Sequence, residues 1–177
     1  MAYQTPYFVI DENQLTKDFQ MLKSSLETSW GNYRIGYSFK TNSLPWLVTF
    51  LKAGGVMAEV VSDDEYSLAG ALGFSDSEIV YNGPVKKRPS FERVLLAGGI
   101  LNMDGRRELD WMEELAAAHP TQTFRVGIRQ QRIRRRHFGS ESGSILIWKK
   151  CVRGRQRWAK PEADLDSAMK TGHLQPF

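Results

Sequence analysis

The sequence predicts an α/β fold in which short parallel strands alternate with helices. Over the first 128 residues, apolar runs centre near residues 36, 58, 80, 101 and 126, a spacing of about 21 to 25 residues. Each interval holds one segment with helical periodicity, and strands joined by helical crossovers are parallel. In these runs the residues expected to point to either face of the sheet are mostly apolar, which is typical of strands that are buried on both faces.

The start and stop signals of the helices support this alternation. Asp11 and Gln14 predict a capping pair before the first helix, and Pro45 suits the first turn of the second. Ser62 and Glu65 fit the capping box S-x-x-E before the third helix. Residues predicted to lie on apolar helix faces or in the core are Leu15, Phe19, Leu22, Leu26, Trp46, Phe50, Leu109, Trp111, Met112 and Leu115.

The strand segments are short and bounded by turn residues. They are YRIGYSFK at 33–40, VMAEVV at 56–61, EIVYNG at 78–83, ILNMD at 100–104 and TFRVGIR at 123–129. An open doubly wound sheet and a (β/α)8 barrel are both built from such units, and periodicity alone does not choose between them.

Composition divides the chain near residue 130. Residues 1–128 carry 12 Lys or Arg against 16 Asp or Glu, whereas residues 129–177 carry 12 against 4, so the charge changes from −4 to +8. Beyond Arg129 the alternation stops, and only the short run ILIW is apolar. We therefore expect an ordered domain over 1–129 and an irregular basic tail over 130–177.

Composition also excludes several classes of protein. Cys151 is the only cysteine, which excludes a disulfide framework and a multi-cysteine metal site within one chain, and we expect no metal. The N-terminus lacks the basic and apolar regions of a secretory signal, and no apolar stretch approaches the ~20 residues that span a bilayer. The expected compartment is the cytoplasm.

Lys40 is the first candidate site residue, because ligands of βα-repeat folds bind at the carboxyl ends of strands. It ends an apolar run, so we expect its amine to be partly desolvated. Loss of hydration favours the neutral amine, the form that attacks a carbonyl group. The alternative is a lysine that only carries charge at a solvated strand end.

Three other residues follow strands. Glu59 is either an acid beside a ligand or a polar strand terminus, and Asn82 with Gly83 is either part of the site or a turn. Arg129 ends a strand with a guanidinium group, which suits a phosphate or a carboxylate. Ser62 and Glu65 are explained by helix capping.

The segment YSFKTN at 37–42 resembles the Y-x-x-K-x-N signature of fold-type III pyridoxal-phosphate enzymes, at their first barrel strand. This group includes the diaminopimelate, ornithine and arginine decarboxylases and is related to the alanine racemases. The resemblance covers residues 5–129. It continues in order through AEVVSDDEYSLA at 58–69, IVYNGPVKK at 79–87, NMDGRREL at 102–109 and VGIR at 126–129.

The resemblance implies a function and a cofactor. In the family the matching lysine, here Lys40, holds pyridoxal 5'-phosphate covalently, and Glu59, Asn82 and Arg129 match positions near the cofactor. It implies decarboxylation of a basic or diamino amino acid in a partial (β/α)8 TIM barrel of about five βα units. It also implies a homodimer for full-length members. A racemase or a non-catalytic cofactor-binding protein of the same fold is the alternative.

The family's chains are more than twice as long, so the resemblance implies that this chain is an N-terminal portion with little activity alone. Its tail over 130–177 has two interpretations. One is a frame shift or rearrangement that leaves a non-native segment, which we favour because periodicity is lost. The other is a basic extension for nucleic acid, with Trp148 and Trp158 available for base stacking.

Overall fold

The computed structural model describes residues 8–131 and 145–153, with side chains described over 8–128. Two compact units divide the chain, residues 1–35 and residues 36–177. The helices are α1 Glu12–Ser29, α2 Pro45–Ala53, α3 Asp63–Ala71, α4 Arg88–Leu96 and α5 Arg106–Ala118. The strands are β1 Gly36–Ser38, β2 Met57–Val60, β3 Ile79–Tyr81, β4 Ile100–Met103, β5 Thr123–Gln131 and β6 Ile145–Arg153.

The first unit consists mainly of α1. Asp11 caps this helix by accepting a hydrogen bond from the backbone N–H of Gln14 at 3.0 Å, as the sequence predicts. Phe19 is the buried residue of the predicted apolar face, whereas Leu22 is largely exposed. The hydroxyl of Tyr33 donates to the Glu27 carboxylate at 3.0 Å, which joins the end of the unit to its helix.

The second unit contains one sheet in the order β1-β2-β3-β4-β5-β6. The first five strands pair in parallel with their neighbours in the sequence, and helices α2 to α5 connect them. This confirms the predicted parallel α/β fold and is the arrangement of a partial barrel. Strand β6 pairs antiparallel with β5 and includes the apolar run ILIW, which was not predicted to form a strand.

Residue alternation divides the sheet into two faces, since successive side chains of a strand point to opposite sides. One face packs into a hydrophobic core with helices α2 to α5. Its members include Ala58 and Val60 from β2, Leu101 and Met103 from β4, Phe91 and Val94 from α4, and Met112 and Leu115 from α5. Glu59 lies between two core residues of β2 and therefore belongs to the other face, which we call the inner face.

Two residues that the sequence predicts to be in the core, Trp46 and Phe50, are not in it. Trp46 is 45% exposed and stacks on the half-buried ring of Phe50, with 5.7 Å between ring centroids. Both residues are in α2, whose buried side is formed instead by Leu47, Val48 and Leu51. Trp111 is half-buried and packs edge-on against Phe91, as the prediction of a core position requires.

The proposed boundary near residue 130 falls at the end of β5, which extends to Gln131. Residues 132–144 and 154–177, with most of the basic tail and Trp158, lie outside the described residues. The division into a domain over 1–129 and a tail over 130–177 therefore stays a prediction. Within the described ranges, no helix is both long and apolar enough to cross a membrane.

Candidate functional site

All four candidate residues lie at the same edge of the sheet. Lys40 follows β1 by two residues, Asn82 follows β3 directly, and Glu59 is in the last half of β2. Arg129 is the first β5 residue beyond the stretch that pairs with β4. Because the five strands are parallel, these positions share the carboxyl edge. The Arg129 side chain lies outside the described residues.

Lys40 is in a turn and not in a strand. Strand β1 ends at Ser38, and the backbone N–H of Thr41 donates to the Ser38 carbonyl at 3.1 Å. Phe39 fills the core and is 2% exposed, whereas Lys40 is exposed. The expected desolvation of the amine is therefore wrong for this structure, because the strand stops before the lysine and the buried position goes to Phe39.

The carboxylate of Glu59 is held by a chain of side-chain amides. Asn82 Nδ2 donates to Glu59 Oε1, and Asn102 Nδ2 donates to Asn82 Oδ1. The three side chains come from the carboxyl ends of β2, β3 and β4, so they form a row across neighbouring strands. We call this chain of hydrogen bonds the amide relay. The sequence places Asn102 at a strand end, where ligands bind, but assigns it no role in the site.

Two buried polar atoms adjoin the amide relay. The Oγ atom of Ser38 and the Oδ1 atom of Asn102 are inaccessible to solvent and have no hydrogen-bond partner among the described residues. Ser38 pairs in register with Glu59, and Asn102 pairs with Gly127 of β5. Buried polar atoms in folded proteins nearly always have a partner, so each of these atoms calls for a donor or acceptor from elsewhere.

The loop after β3 is held close to the end of β2. Gly83 has a φ of +96°, and a Cβ atom at this position would overlap the backbone carbonyl of Val61. Only glycine meets both demands without strain, since other residues rarely adopt a positive φ. The interpretation of Asn82-Gly83 as a chain reversal is therefore supported by the positive φ of Gly83, and Asn82 is also part of the amide relay. A role of Asn82 in ligand binding stays a prediction.

A buried ion cluster fixes the same loop from the other side. Lys86 Nζ contacts both carboxylate oxygens of Glu108, at 3.1 and 3.2 Å, and Asp104 Oδ2 at 3.3 Å. It also donates to the Gly83 carbonyl. Asp104 and Glu108 belong to the turn after β4 and to α5, so Lys86 joins the β3–α4 and β4–α5 connections. No role for this lysine was predicted from the sequence.

The start of α3 confirms the predicted capping role of Ser62 and Glu65. Ser62 Oγ accepts from the Glu65 N–H at 3.2 Å, and Glu65 Oε2 accepts from the Val61 N–H at 2.9 Å. Glu65 thus reaches one residue before the cap. Both side chains accept hydrogen bonds from backbone N–H groups, which accounts for these two residue types without a ligand.

A second carboxylate connects α3 with α4. Asp63 is the first residue of α3, and its Oδ2 accepts from the backbone N–H of Lys87 at 3.1 Å. Its Oδ1 accepts from the hydroxyl of Ser90, which is buried in the first turn of α4. The residue that caps α4, Lys87, makes no side-chain cap of its own. Asp63 therefore supplies a hydrogen-bond acceptor to α4, the next helix along the chain.

The family comparison identifies the region that carries this site. The family model described as "Pyridoxal-dependent decarboxylase, pyridoxal binding domain" matches residues 12–142. The chain belongs to this family. The match includes α1 and the first five strands, and the cofactor of this decarboxylase domain is pyridoxal phosphate. The family resemblance in the sequence and the partial-barrel fold are thereby confirmed.

Individual relatives of this pyridoxal-binding domain are decarboxylases. The diaminopimelate decarboxylase of Methanothermobacter thermautotrophicus is 27% identical over 70% of this chain and 29% of its own length. The L-glutamyl-[BtrI acyl-carrier protein] decarboxylase of Niallia circulans is 31% identical over 72% of this chain and 29% of its own. The chain thus spans less than a third of the length of these curated relatives.

Solved structures agree with the fold of this pyridoxal-binding domain. The crystal structure of diaminopimelate decarboxylase from Helicobacter pylori complexed with L-lysine covers 71% of this chain and 32% of its own, at 25% identity and a TM-score of 0.56. The diaminopimelate decarboxylase of M. jannaschii, in co-complex with L-lysine, has 24% identity and a TM-score of 0.54, which shows the fold alone.

Proposed function

We propose that this domain binds pyridoxal 5'-phosphate covalently at Lys40 and serves the decarboxylation of a basic or diamino amino acid. The observation that carries the proposal is the position of Lys40 at the carboxyl edge of a sheet whose sequence matches a pyridoxal-binding domain. The diaminopimelate decarboxylases among the relatives support a substrate of this class. Cofactor attachment requires an accessible amine, and Lys40 is exposed.

The residues around Lys40 are suited to such a cofactor. Within the described part of the chain, the Lys40 side chain makes no hydrogen bond or ion pair, so its amine is not committed to another group. The Ser38 Oγ and Asn102 Oδ1 atoms are buried on the inner face of the sheet and lack partners among the described residues. Arg129, at the same edge, provides a guanidinium for a phosphate or carboxylate.

Each residue then has a distinct task. Lys40 would hold the cofactor in place through a covalent bond, and Glu59, oriented by Asn82, would present its carboxylate to the site. Pyridoxal phosphate supplies the electron sink that stabilises the carbanion left when carbon dioxide departs. The protein's part is to orient the substrate and to keep that charge arrangement fixed before the reaction begins.

We propose that the complete activity requires more residues than the 177 of this chain. The aligned 124 and 129 residues make up 29% of the two curated decarboxylases, so these relatives are more than twice as long as the 177-residue chain. We propose that the chain alone has little decarboxylase activity, and that the homodimer implied by the resemblance forms in full-length members. Light scattering during gel filtration of this chain would measure its own oligomeric state.

Borohydride trapping tests the proposed attachment. The 177-residue chain is incubated with pyridoxal 5'-phosphate, reduced with borohydride and analysed by peptide mass mapping. We expect one label, on the peptide with Lys40, and loss of that label in Lys40→Ala. Lys87→Ala removes another exposed lysine and is the matched control, for which labelling should not change. Labels scattered over surface lysines, or none, would overturn the proposal.

A further inference from the structure

Four polar side chains form a continuous row on the inner face of the sheet: Ser38, Glu59, Asn82 and Asn102. Ser38 and Glu59 are register partners in β1 and β2. A Cβ atom at Gly36 would lie 3.8 Å from Glu59 Cβ and 3.8 Å from Val80 Cγ2, which places those side chains on a common face. Asn82 and Asn102 join the row through the amide relay.

The amide relay has a fixed direction. A carboxylate can only accept hydrogen bonds, so Glu59 must receive the amide N–H group of Asn82. This leaves the Asn82 carbonyl oxygen for its other neighbour, which must be the amide N–H group of Asn102. The remaining carbonyl oxygen of Asn102 is therefore an acceptor whose orientation Glu59 determines from two strands away.

The carbonyl oxygen of Asn102 is buried and accepts no hydrogen bond from the described residues. Asn102 is 5% exposed, and its Oδ1 atom has no partner among the described residues. The register partner of Asn102 in β5 is Gly127, which has no side chain to donate a hydrogen bond. Ser38 Oγ, at the other end of the row, is also buried and has no hydrogen-bond partner among the described residues. Leaving such atoms unpaired costs free energy, so two of them on one face indicate groups that a bound molecule satisfies.

We propose that Asn102 Oδ1 and Ser38 Oγ are ligand-contacting atoms of this site. Asn102 accepts an N–H or O–H group of the bound molecule, and Ser38 donates to it or accepts from it. Asn82, which uses both ends of its amide within the amide relay, acts as a positioning residue that sets Glu59 and Asn102. This inference rests on the proposed function, since it takes the cofactor or the amino acid held beside it as the ligand.

Ser38→Ala separates ligand contact from a structural role. The substitution removes one hydroxyl that no described residue satisfies, so the free energy of unfolding in urea should stay the same or rise. The affinity for pyridoxal 5'-phosphate, measured by absorbance titration, should nevertheless fall roughly five- to tenfold, the effect of one lost hydrogen bond. A hydroxyl important only for packing would change the unfolding free energy and leave affinity alone.

Asn102→Ala tests the other end of the row and identifies the source of the donor. Ser90→Ala is the matched control: Ser90 is equally buried, but it bonds to Asp63 and has no contact with the row. A roughly tenfold lower affinity of Asn102→Ala for pyridoxal 5'-phosphate alone, measured by absorbance titration, would indicate contact with the cofactor. Unchanged cofactor affinity with a weaker spectral response to added L-lysine or meso-diaminopimelate would indicate contact with the amino acid.

Two results would overturn the inference. If the wild-type chain binds pyridoxal 5'-phosphate and both variants match it within about twofold for cofactor and amino acid, the two atoms are satisfied by water and the inference alone is wrong. If the wild-type chain is not labelled at Lys40 after borohydride reduction, the proposed function and this inference are both wrong.

Discussion

Lys86 and Glu108 form an ion pair in which each residue is only 2% exposed, and the ammonium contacts both carboxylate oxygens at 3.1 and 3.2 Å. Removing a charge from water is costly, and attraction in the interior repays that cost only when both partners are present and well bonded. The pair therefore makes the β3–α4 and β4–α5 connections depend on each other.

We predict that Lys86→Met lowers the free energy of unfolding by about 3 to 5 kcal/mol, because it leaves the Glu108 carboxylate buried without its counter-charge. Urea denaturation of the 177-residue chain measures the change. Lys87→Met, at the exposed neighbouring lysine, should change the free energy of unfolding by less than about 0.5 kcal/mol. Adding Glu108→Gln to Lys86→Met should recover part of the loss, and a double variant as unstable as the single one would contradict this account.

Gly83→Ala should be among the most destabilising alanine substitutions in the loops. It combines the strain of a positive φ with an overlap against the Val61 backbone, and together these cost about 3 kcal/mol or more. Gly98 has a similar φ of +84°, and no atom lies within 4 Å of the place that its Cβ would take, so Gly98→Ala isolates the strain at about 1 kcal/mol. Equal effects of the two substitutions in thermal or urea unfolding would show that the close approach to Val61 is unimportant.

Stability should fall at high pH because of Tyr66. Burial first, and then its 2.5 Å hydrogen bond to Asp76, raise the pKa of Tyr66 from 10.0 to about 12. The folded chain thus keeps a proton that the unfolded chain releases near pH 10, so the stabilising effect is complete below pH 10 and is lost as the pH rises through about 12. Tyr66→Phe should flatten this decline in unfolding free energy. An unchanged slope between about pH 10 and 12 would contradict the assignment.

The 177-residue chain supplied with pyridoxal 5'-phosphate should release carbon dioxide from meso-diaminopimelate, ornithine, arginine or lysine no faster than its Lys40→Ala variant. The physical reason is that preorganised charges contribute much of a catalytic effect, and losing even one such group costs roughly 100-fold or more in rate. The chain spans 29% of its curated relatives. Turnover well above the variant would show that these residues suffice for catalysis.

The parallel strands and most helix starts were predictable because their signals are local. Asp11 before α1, Pro45 at the start of α2 and Ser62 before α3 each act on backbone groups within a few residues. The same local pattern failed at Trp46, which has the spacing of a core residue in α2 but is exposed, because three aliphatic neighbours form the buried side instead.

The candidate site was predictable only in position. Strand ends identified Lys40, Glu59, Asn82 and Arg129, but the strand was expected to extend to Lys40 and it ends at Ser38. Contacts between side chains 20 or more residues apart were not readable from the sequence. These contacts give Asn102 its place in the amide relay and Lys86 its buried pair with Glu108.

Asp63 couples the folding of two neighbouring βα segments. Its carboxylate belongs to α3 but accepts from the Lys87 N–H and the Ser90 hydroxyl at the start of α4. The Lys87 N–H and the Ser90 hydroxyl can therefore donate to this carboxylate only when α3 is already folded and in position. Folding of the two βα segments becomes cooperative, and the stretch from β2 to α4 should open and close together in native-state hydrogen exchange.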